Sequence, residues 1–257
     1  MIHYLFWVWY FVGALLLLLF EVPRQLQFSN ALFLIFYALY AINVMKRGKP
    51  KMLPDQSVIK GQLVKGWLPF IVIWTGGMTV EWVGVHSGRL FGSYVYSDIL
   101  GPQLYGVPVT LGFAWIAVVI NAFLITRDLG LSGVRLTVVR AYQVGFWAVL
   151  MDLVLDPVAH ARGFWHWNAD GGFYGVPGSN FVGWFMVGAM LSLTLPQKSV
   201  TFQARRLGTR LYQAILIMFG LLGAREGLPL CTVIAVIGIL LSEGSLRYAG
   251  SHKAQKI

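Results

Sequence analysis

The chain has 257 residues, of which 57% are hydrophobic and only 12% charged, whereas soluble domains carry about a quarter of charged residues. That excludes an ordinary water-soluble domain and points to lipid. The formal net charge of +10 lies in short segments between apolar runs, not in one basic patch with interleaved aromatics, so no nucleic-acid partner is expected.

In chain order, apolar runs at 4–20, 31–45, 67–85, 109–125, 137–155, 181–195, 211–223 and 228–242 approach the roughly 20 residues that cross about 30 Å of hydrocarbon. They predict an all-α fold: a polytopic integral membrane bundle of about eight transmembrane helices in a single membrane domain, 1–257. The count is seven if the last two runs, short and joined by Arg225-Glu226-Gly227, form a re-entrant pair. The first run, Met1 to Phe20, has no basic leader and no small-residue cleavage site, so it is expected to stay as a helix and not to be removed as a secretory signal. Between the second and third runs lie Lys46, Arg47, Lys49, Lys51, Lys60 and Lys65, which the positive-inside rule assigns to the cytoplasm. Alternation then places Arg127, Arg135 and Arg140 there too, with Lys198, Arg205, Arg206 and Arg210, and Arg247, Lys253 and Lys256. Each of the four outer loops keeps one of the 20 basic residues: Arg24, Arg89, Arg162 and Arg225. Both termini are therefore expected to be cytoplasmic, in a bacterial or archaeal cell membrane.

The third run carries Glu81, on one helical stripe with Gly77, Gly84 and Gly88. The stripe is either an open groove in which a flat chain lies or a close helix contact through small residues. The loop after it reads Leu104-Tyr105-Gly106-Val107-Pro108, with Trp115 seven residues beyond the proline. The fifth run carries Asp152 and Asp156, four apart and hence on one face, with Pro157 expected to end the helix. Its loop reads Phe173-Tyr174-Gly175-Val176-Pro177, with Trp184 at the same spacing, an offset of 69 residues. A proline helix start alone explains the turn, but not the shared tryptophan or the acids upstream. The expectation is an internal helix-loop-helix repeat, with halves near 67–125 and 137–195. Its copies run in the same direction about an axis along the membrane normal, and their facing ends converge.

Ionisable groups in membrane spans are costly and face a cavity or a partner, which makes Glu81, Asp152 and Asp156 the candidate catalytic residues, with His86, His160 and His166 near in sequence. Their structural alternative is a buried ion pair with Arg89 or Arg162, or an interfacial carboxylate capped by loop amides. A carboxyl in an apolar pocket keeps its proton near neutral pH and can donate it. No tight ligand spacing is present, so no metal is expected, and Cys231, the only cysteine, allows neither an intramolecular disulfide nor a cysteine-based metal site. Trp82, Phe91, Tyr94, Tyr96, Phe164, Trp165, Trp167, Phe173 and Tyr174 suit an interfacial belt and equally a cavity wall whose π faces stabilise a cation. Candidate substrate-binding residues are Gly77, Trp82, Gly84, His86, Tyr94, Tyr96, Trp115, Trp165, His166, Trp167, Tyr174, Asn180 and Trp184. Asn180 reads as a helix cap or a water-orienting amide, Asp98 and Asp170 as turn residues, and Glu243 with the inner-loop charges as solvated ends.

Several blocks resemble one family: Glu81-Trp82-Val83-Gly84-Val85-His86-Ser87-Gly88 running into Phe91-Gly92-Ser93-Tyr94-Val95-Tyr96; Leu100-Gly101; Gly106-Val107-Pro108; Met151-Asp152-Leu153-Val154-Leu155-Asp156-Pro157; Gly163-Phe164-Trp165-His166-Trp167; and Tyr174-Gly175-Val176-Pro177 before Asn180-Phe181-Val182-Gly183-Trp184. Over roughly residues 75 to 190 the chain is similar to the carotenoid-biosynthesis membrane proteins that include the CruF-type carotenoid 1,2-hydratases. The resemblance implies hydration of the terminal double bond of an acyclic carotenoid to a tertiary alcohol, with no redox cofactor. A carboxyl would protonate the less substituted carbon, aromatic faces and carboxylates would hold the tertiary cation, and water would add. The implied partners are a lipid-soluble carotenoid or isoprenoid substrate, membrane lipids and other carotenoid-pathway enzymes. Two other readings stay open: a membrane terpene or carotenoid cyclase using the same protonation, and a non-enzymatic transporter or binding protein, although most spans lack ionisable residues at mid-depth.

Overall fold

A computed structural model describes residues 2–20, 23–47, 59–168, 172–197 and 199–254. Lys49, Lys51, Asp170, Lys198 and Lys256 lie outside the described residues, as do the side chains of Arg24, Lys60, Lys65 and Lys253. Among the described residues the chain forms eight α-helices: α1 (Ile2–Leu19), α2 (Phe28–Arg47), α3 (Ile59–Ser87), α4 (Leu111–Leu124), α5 (Gly133–Ala161), α6 (Gly178–Ser192), α7 (Phe202–Arg225) and α8 (Pro229–Ala254). All but α4 and α6 are long and apolar enough to cross a membrane. The fold is an all-α polytopic bundle, and the protein is an integral membrane protein.

α4 has 14 residues, which at about 1.5 Å per residue span only about 21 Å. Its length is not set by lipid, because nearly every side chain from Trp115 to Leu124 is buried and α2, α3, α5, α6 and α7 all pack around it. Asn121 fixes this central position: Tyr37 donates to its Oδ1 at 2.7 Å, and its Nδ2 donates to the Gly208 carbonyl at 2.7 Å. Outward faces are apolar, as at Phe11 on α1 and Leu240 on α8, both more than 60% exposed.

Two sequence expectations change. The last two runs are not a short re-entrant pair; α7 and α8 have 24 and 26 residues and pack against each other along their lengths. The hydropathy run missed the start of α7 because it contains Arg205, Arg206 and Arg210. There the Thr201 hydroxyl caps the helix by accepting from the Ala204 N–H at 3.3 Å. Nor does Pro157 end α5, which continues to Ala161. A proline inside a helix removes the donor to the carbonyl four residues earlier. Here that carbonyl, on Leu153, is approached by the Cys231 thiol of α8 at 3.8 Å.

The loops after α1, α3, α5 and α7 gather at one end. Arg225 Nη1 donates to the carbonyls of Leu17, Leu18 and Phe20 at 2.8, 3.0 and 3.3 Å, closing the open end of α1. Arg162 pairs with Glu226 at 2.7 Å. Strand β1 (Tyr94–Tyr96) of one loop pairs antiparallel with β4 (Trp165–Trp167) of the other, Tyr94 opposite Trp167 and Tyr96 opposite Trp165. The small hairpin β2 (Gln103–Leu104) and β3 (Val107–Pro108) turns at Tyr105-Gly106. At the opposite end Arg140 and Arg205 both face Asp128. These two arginines are buried, 0% and 4% exposed, and are not the solvated ends expected. Because α4 stops early, the chain after it turns inward, and Arg205 donates to the Thr126 carbonyl there.

The two aromatic loops match in conformation. Positive φ angles occur in pairs at Gly92 and Gly163 (90° and 73°), Gly101 and Gly172 (88° and 84°), Tyr105 and Tyr174 (49° and 52°), and Gly106 and Gly175 (79° and 84°). The Tyr-Gly pairs have the two consecutive positive φ values of a type I′ turn. The strand pair is flanked by two equivalent bonds, Ser97 N–H to Phe164 O at 3.0 Å and Asn168 N–H to Ser93 O at 2.8 Å.

Candidate active site

Glu81 projects from α3 into the bundle and is 3% exposed. Its Oε2 accepts from the Tyr94 and Tyr96 hydroxyls at 2.6 and 2.7 Å, and its Oε1 accepts from Trp115 Nε1 at 2.8 Å. Strand alternation explains the tyrosine pair: residues two apart point to the same face, so β1 presents both phenols to one carboxyl. Burial pushes both phenols well above their ordinary range, and Glu81 and Asp156 push in the same direction. The phenols therefore keep their protons and serve Glu81 as hydrogen-bond donors.

Asp152 and Asp156, 0% and 2% exposed, lie one turn apart on α5. Asn180, in the first turn of α6, donates through Nδ2 to Oδ2 of each, at 2.9 and 2.6 Å. Both Oδ1 atoms are buried without a hydrogen-bond partner. The two halves join through aromatic packing, since Trp115 lies 4.8 Å from Trp184, ring centre to ring centre, and Trp184 stands one turn after Asn180 on the same face of α6.

None of the three acids pairs with a cation among the described residues. Arg162 is engaged by Glu226, and Arg89 is exposed.

The glycine stripe on α3 is not an open groove. A Cβ at Gly77 would lie 2.6 Å from the Trp115 ring, and one at Gly84 would lie 2.8 Å from Phe91 and from the Tyr94 hydroxyl. The stripe instead lets the protein's own rings reach Glu81. Trp82 and His86 pack against each other with centroids 5.1 Å apart and planes tilted by 37°, and both are exposed, unlike Glu81. His166 is exposed on β4, while His160 lies against the His166 and Trp167 rings and the Trp165 carbonyl. Tyr174 sits at its turn and accepts from the Leu230 N–H at 3.3 Å. Trp167 packs at 5.9 Å from Tyr94 and donates to the Phe91 carbonyl at 3.0 Å. Among the described residues no cluster of histidine, cysteine and carboxylate side chains could hold a metal ion.

Beside the acids is an apolar cavity of about 350 Å³ between α1, α2, α4, α5 and α7. Trp9, Tyr37, Val118, Leu155 and Ile215 line it, as do Trp165 and Trp184, whose rings pack on Tyr96 and Trp115, two of the donors to Glu81. Leu155 and Ala159 each follow an aspartate by three residues, so the aspartates border this face of α5. A polar recess of about 310 Å³, lined by Gln27, Asn30, Arg162, Arg225 and Glu226, adjoins the cavity at the loop end through Leu17, Asn30, Arg162 and Phe164. The cavity residues from α1, α2 and α7 carry no sequence motif. The one available signal is the spacing on α5, where Leu155 and Ala159 stand three residues after Asp152 and Asp156, and it says nothing of the other helices.

No solved structure matches the chain. It is 39% identical over 115 residues to the bisanhydrobacterioruberin hydratase of Haloarcula japonica, a match covering 44% of this chain and 39% of that relative. A family model described as carotenoid biosynthesis protein matches residues 32–242, and the chain belongs to that carotenoid-biosynthesis family of membrane proteins.

Proposed function

We propose that this protein is a carotenoid hydratase, a hydro-lyase that adds water across the terminal double bond of an acyclic carotenoid end group, with Glu81, Asp152 and Asp156 as its acid machinery. The observation that carries the reading is the set of three buried carboxyl groups, without a cationic partner among the described residues, beside an apolar cavity. The cavity size lies within the range of small-molecule sites, about 300–1,000 Å³. Membership of the family and the hydratase relative support the substrate class and the reaction.

In this reading the polyene occupies the cavity and its end group reaches the acids between the Trp165 and Trp184 rings. A carboxyl proton adds to the less substituted alkene carbon, the π pair forms the new C–H bond, and a tertiary cation remains. Fixed carboxylate charge and ring faces stabilise that cation in a water-poor setting. Water then forms the C–O bond and returns a proton to a carboxylate. The addition balances without electron transfer, so the reaction calls for no redox cofactor.

The paired φ angles and paired strand bonds support two copies of one helix-loop-helix unit, near 67–125 and 137–195, within one membrane domain. The gathering of the basic segments at the other end supports both termini on the cytoplasmic side and the acids toward the outer side.

The test is mass analysis of pigments from cells that express the chain with an acyclic carotene. A gain of one water supports the hydratase. Unchanged mass with altered retention would make it a cyclase, and unchanged pigment would end the enzymatic reading.

A further inference from the structure

The two halves of the site treat their carboxyl groups unequally. Glu81 is saturated: both oxygens accept, and all three donors are aromatic N–H or O–H groups at 2.6 to 2.8 Å. Indole N–H can only donate, and the two phenol contacts fall within or near the length range of O–H bonds to a charged oxygen, about 2.5–2.7 Å. Such a ring of donors suits an ionised carboxylate. The aspartates are under-served. One amide nitrogen supplies both, each has a buried Oδ1 with no partner, and no cation among the described residues faces them. Two carboxyl groups held at one amide nitrogen, with no cation facing them, are better served by sharing a proton than by carrying two charges.

We infer that the halves divide the labour: Asp152 and Asp156, bridged by Asn180, share the one transferable proton, while Glu81 remains a fixed anion that stabilises the cation. This rests on the hydratase reading. The pair gives its proton to the alkene carbon and is left with two charges. When water adds to the cation, one of its protons returns to the pair, restoring the starting state. Glu81 neither gains nor loses a proton in the cycle. Asn180 is a positioning residue that holds the two Oδ2 atoms at one nitrogen.

Three measurements on the full-length protein in membranes test this. The first is the infrared carbonyl band of a protonated carboxyl, identified by its shift in heavy water. It is expected in the wild type and in Glu81→Gln, and absent from the Asp152→Asn/Asp156→Asn double variant. The second is binding of an isoprenoid whose terminal tertiary carbon is replaced by an ammonium nitrogen. Affinity should fall at least about tenfold in Glu81→Gln, as loss of a charge-assisted contact gives, hold in Glu81→Asp, and hold in either single aspartate variant. The third is hydration, expected to fall about a hundredfold or more in each single aspartate variant. A wild type without the band overturns the proposal even if no variant folds. A band lost in Glu81→Gln but kept in the double variant overturns it while leaving the hydratase reading intact. Near-normal hydration in Glu81→Gln, Asp152→Asn and Asp156→Asn removes both.

Discussion

Trp115 and Trp184 meet with ring centres 4.8 Å apart and planes inclined by 32°, which makes their contact the joint between the Glu81 half of the site and the Asn180 half. Trp115 also donates its N–H to Glu81. Trp115→Phe keeps an aromatic ring and removes that donor, and a hydrogen bond to a charged group contributes about 1.5–3 kcal/mol. Hydration by Trp115→Phe in membranes should fall about tenfold to a hundredfold at normal protein level. Undiminished turnover would show that Glu81 does not depend on the indole.

Gly77 is the condition for that contact. A Cβ placed 2.6 Å from the Trp115 ring must push the indole off Glu81 or separate α3 from α4, and overpacking of this kind costs about 1–3 kcal/mol. Gly77→Ala should lower both thermal stability and activity. Gly66, on the same helix with nothing within 4 Å of its Cβ position, is the control, and Gly66→Ala should match the wild type or exceed it slightly. Equal behaviour of the two variants would refute the packing argument.

The acids stand out in the sequence because charge in an apolar run is conspicuous, and Tyr94, Tyr96, Trp115 and Asn180 because they lie in the two matched loops or at the starts of the helices that follow them. Their hydrogen-bond assignments were not legible. The glycine stripe beside Glu81 has the same spacing whether it receives a ligand or a tryptophan, and only the position of α4 decides it. The cavity was hidden for a similar reason, since apolar residues that face a cavity and apolar residues that face lipid have the same composition and period. Helix ends were misread where local rules met tertiary support: Pro157 reads as a stop, but α8 supplies a donor for the carbonyl it leaves open, and Arg205 reads as solvent-exposed, but Asp128 and the Thr126 carbonyl draw it inside.

The phenols of Tyr94 and Tyr96 are pushed well up, chiefly by burial and then by the Glu81 charge. A group whose folded-state value is raised contributes stability that is fully present below its unfolded value, about 10 for tyrosine, and lost as pH rises beyond it. The protein should therefore lose thermal stability progressively above about pH 10, and the Tyr94→Phe/Tyr96→Phe variant should show a flatter decline there. The same variant should hydrate poorly near neutral pH, having removed both donors to one carboxyl oxygen. Identical alkaline profiles would mean that the phenols are not held in this way.

Pro157 and Cys231 form a second testable pair, next to the aspartates but read out by stability and not by turnover. Pro157 leaves the Leu153 carbonyl without its helical donor, and the Cys231 thiol lies 3.8 Å from that oxygen. A thiol is a weak donor, but inside a bundle an unserved carbonyl costs about 1–3 kcal/mol. Cys231→Ala should destabilise the protein by about 1–2 kcal/mol, part of it from the small cavity left against α5 and α7. Pro157→Ala restores a backbone N–H at the position that can serve Leu153, so in that background Cys231→Ala should cost less. The difference between the two costs is the coupling energy of a double-mutant cycle, expected at about 0.5–1 kcal/mol. It is measured by thermal unfolding in detergent, with Cys231→Ala in each background. Zero coupling would mean that the thiol only fills space and that the carbonyl left open by Pro157 is satisfied in some other way.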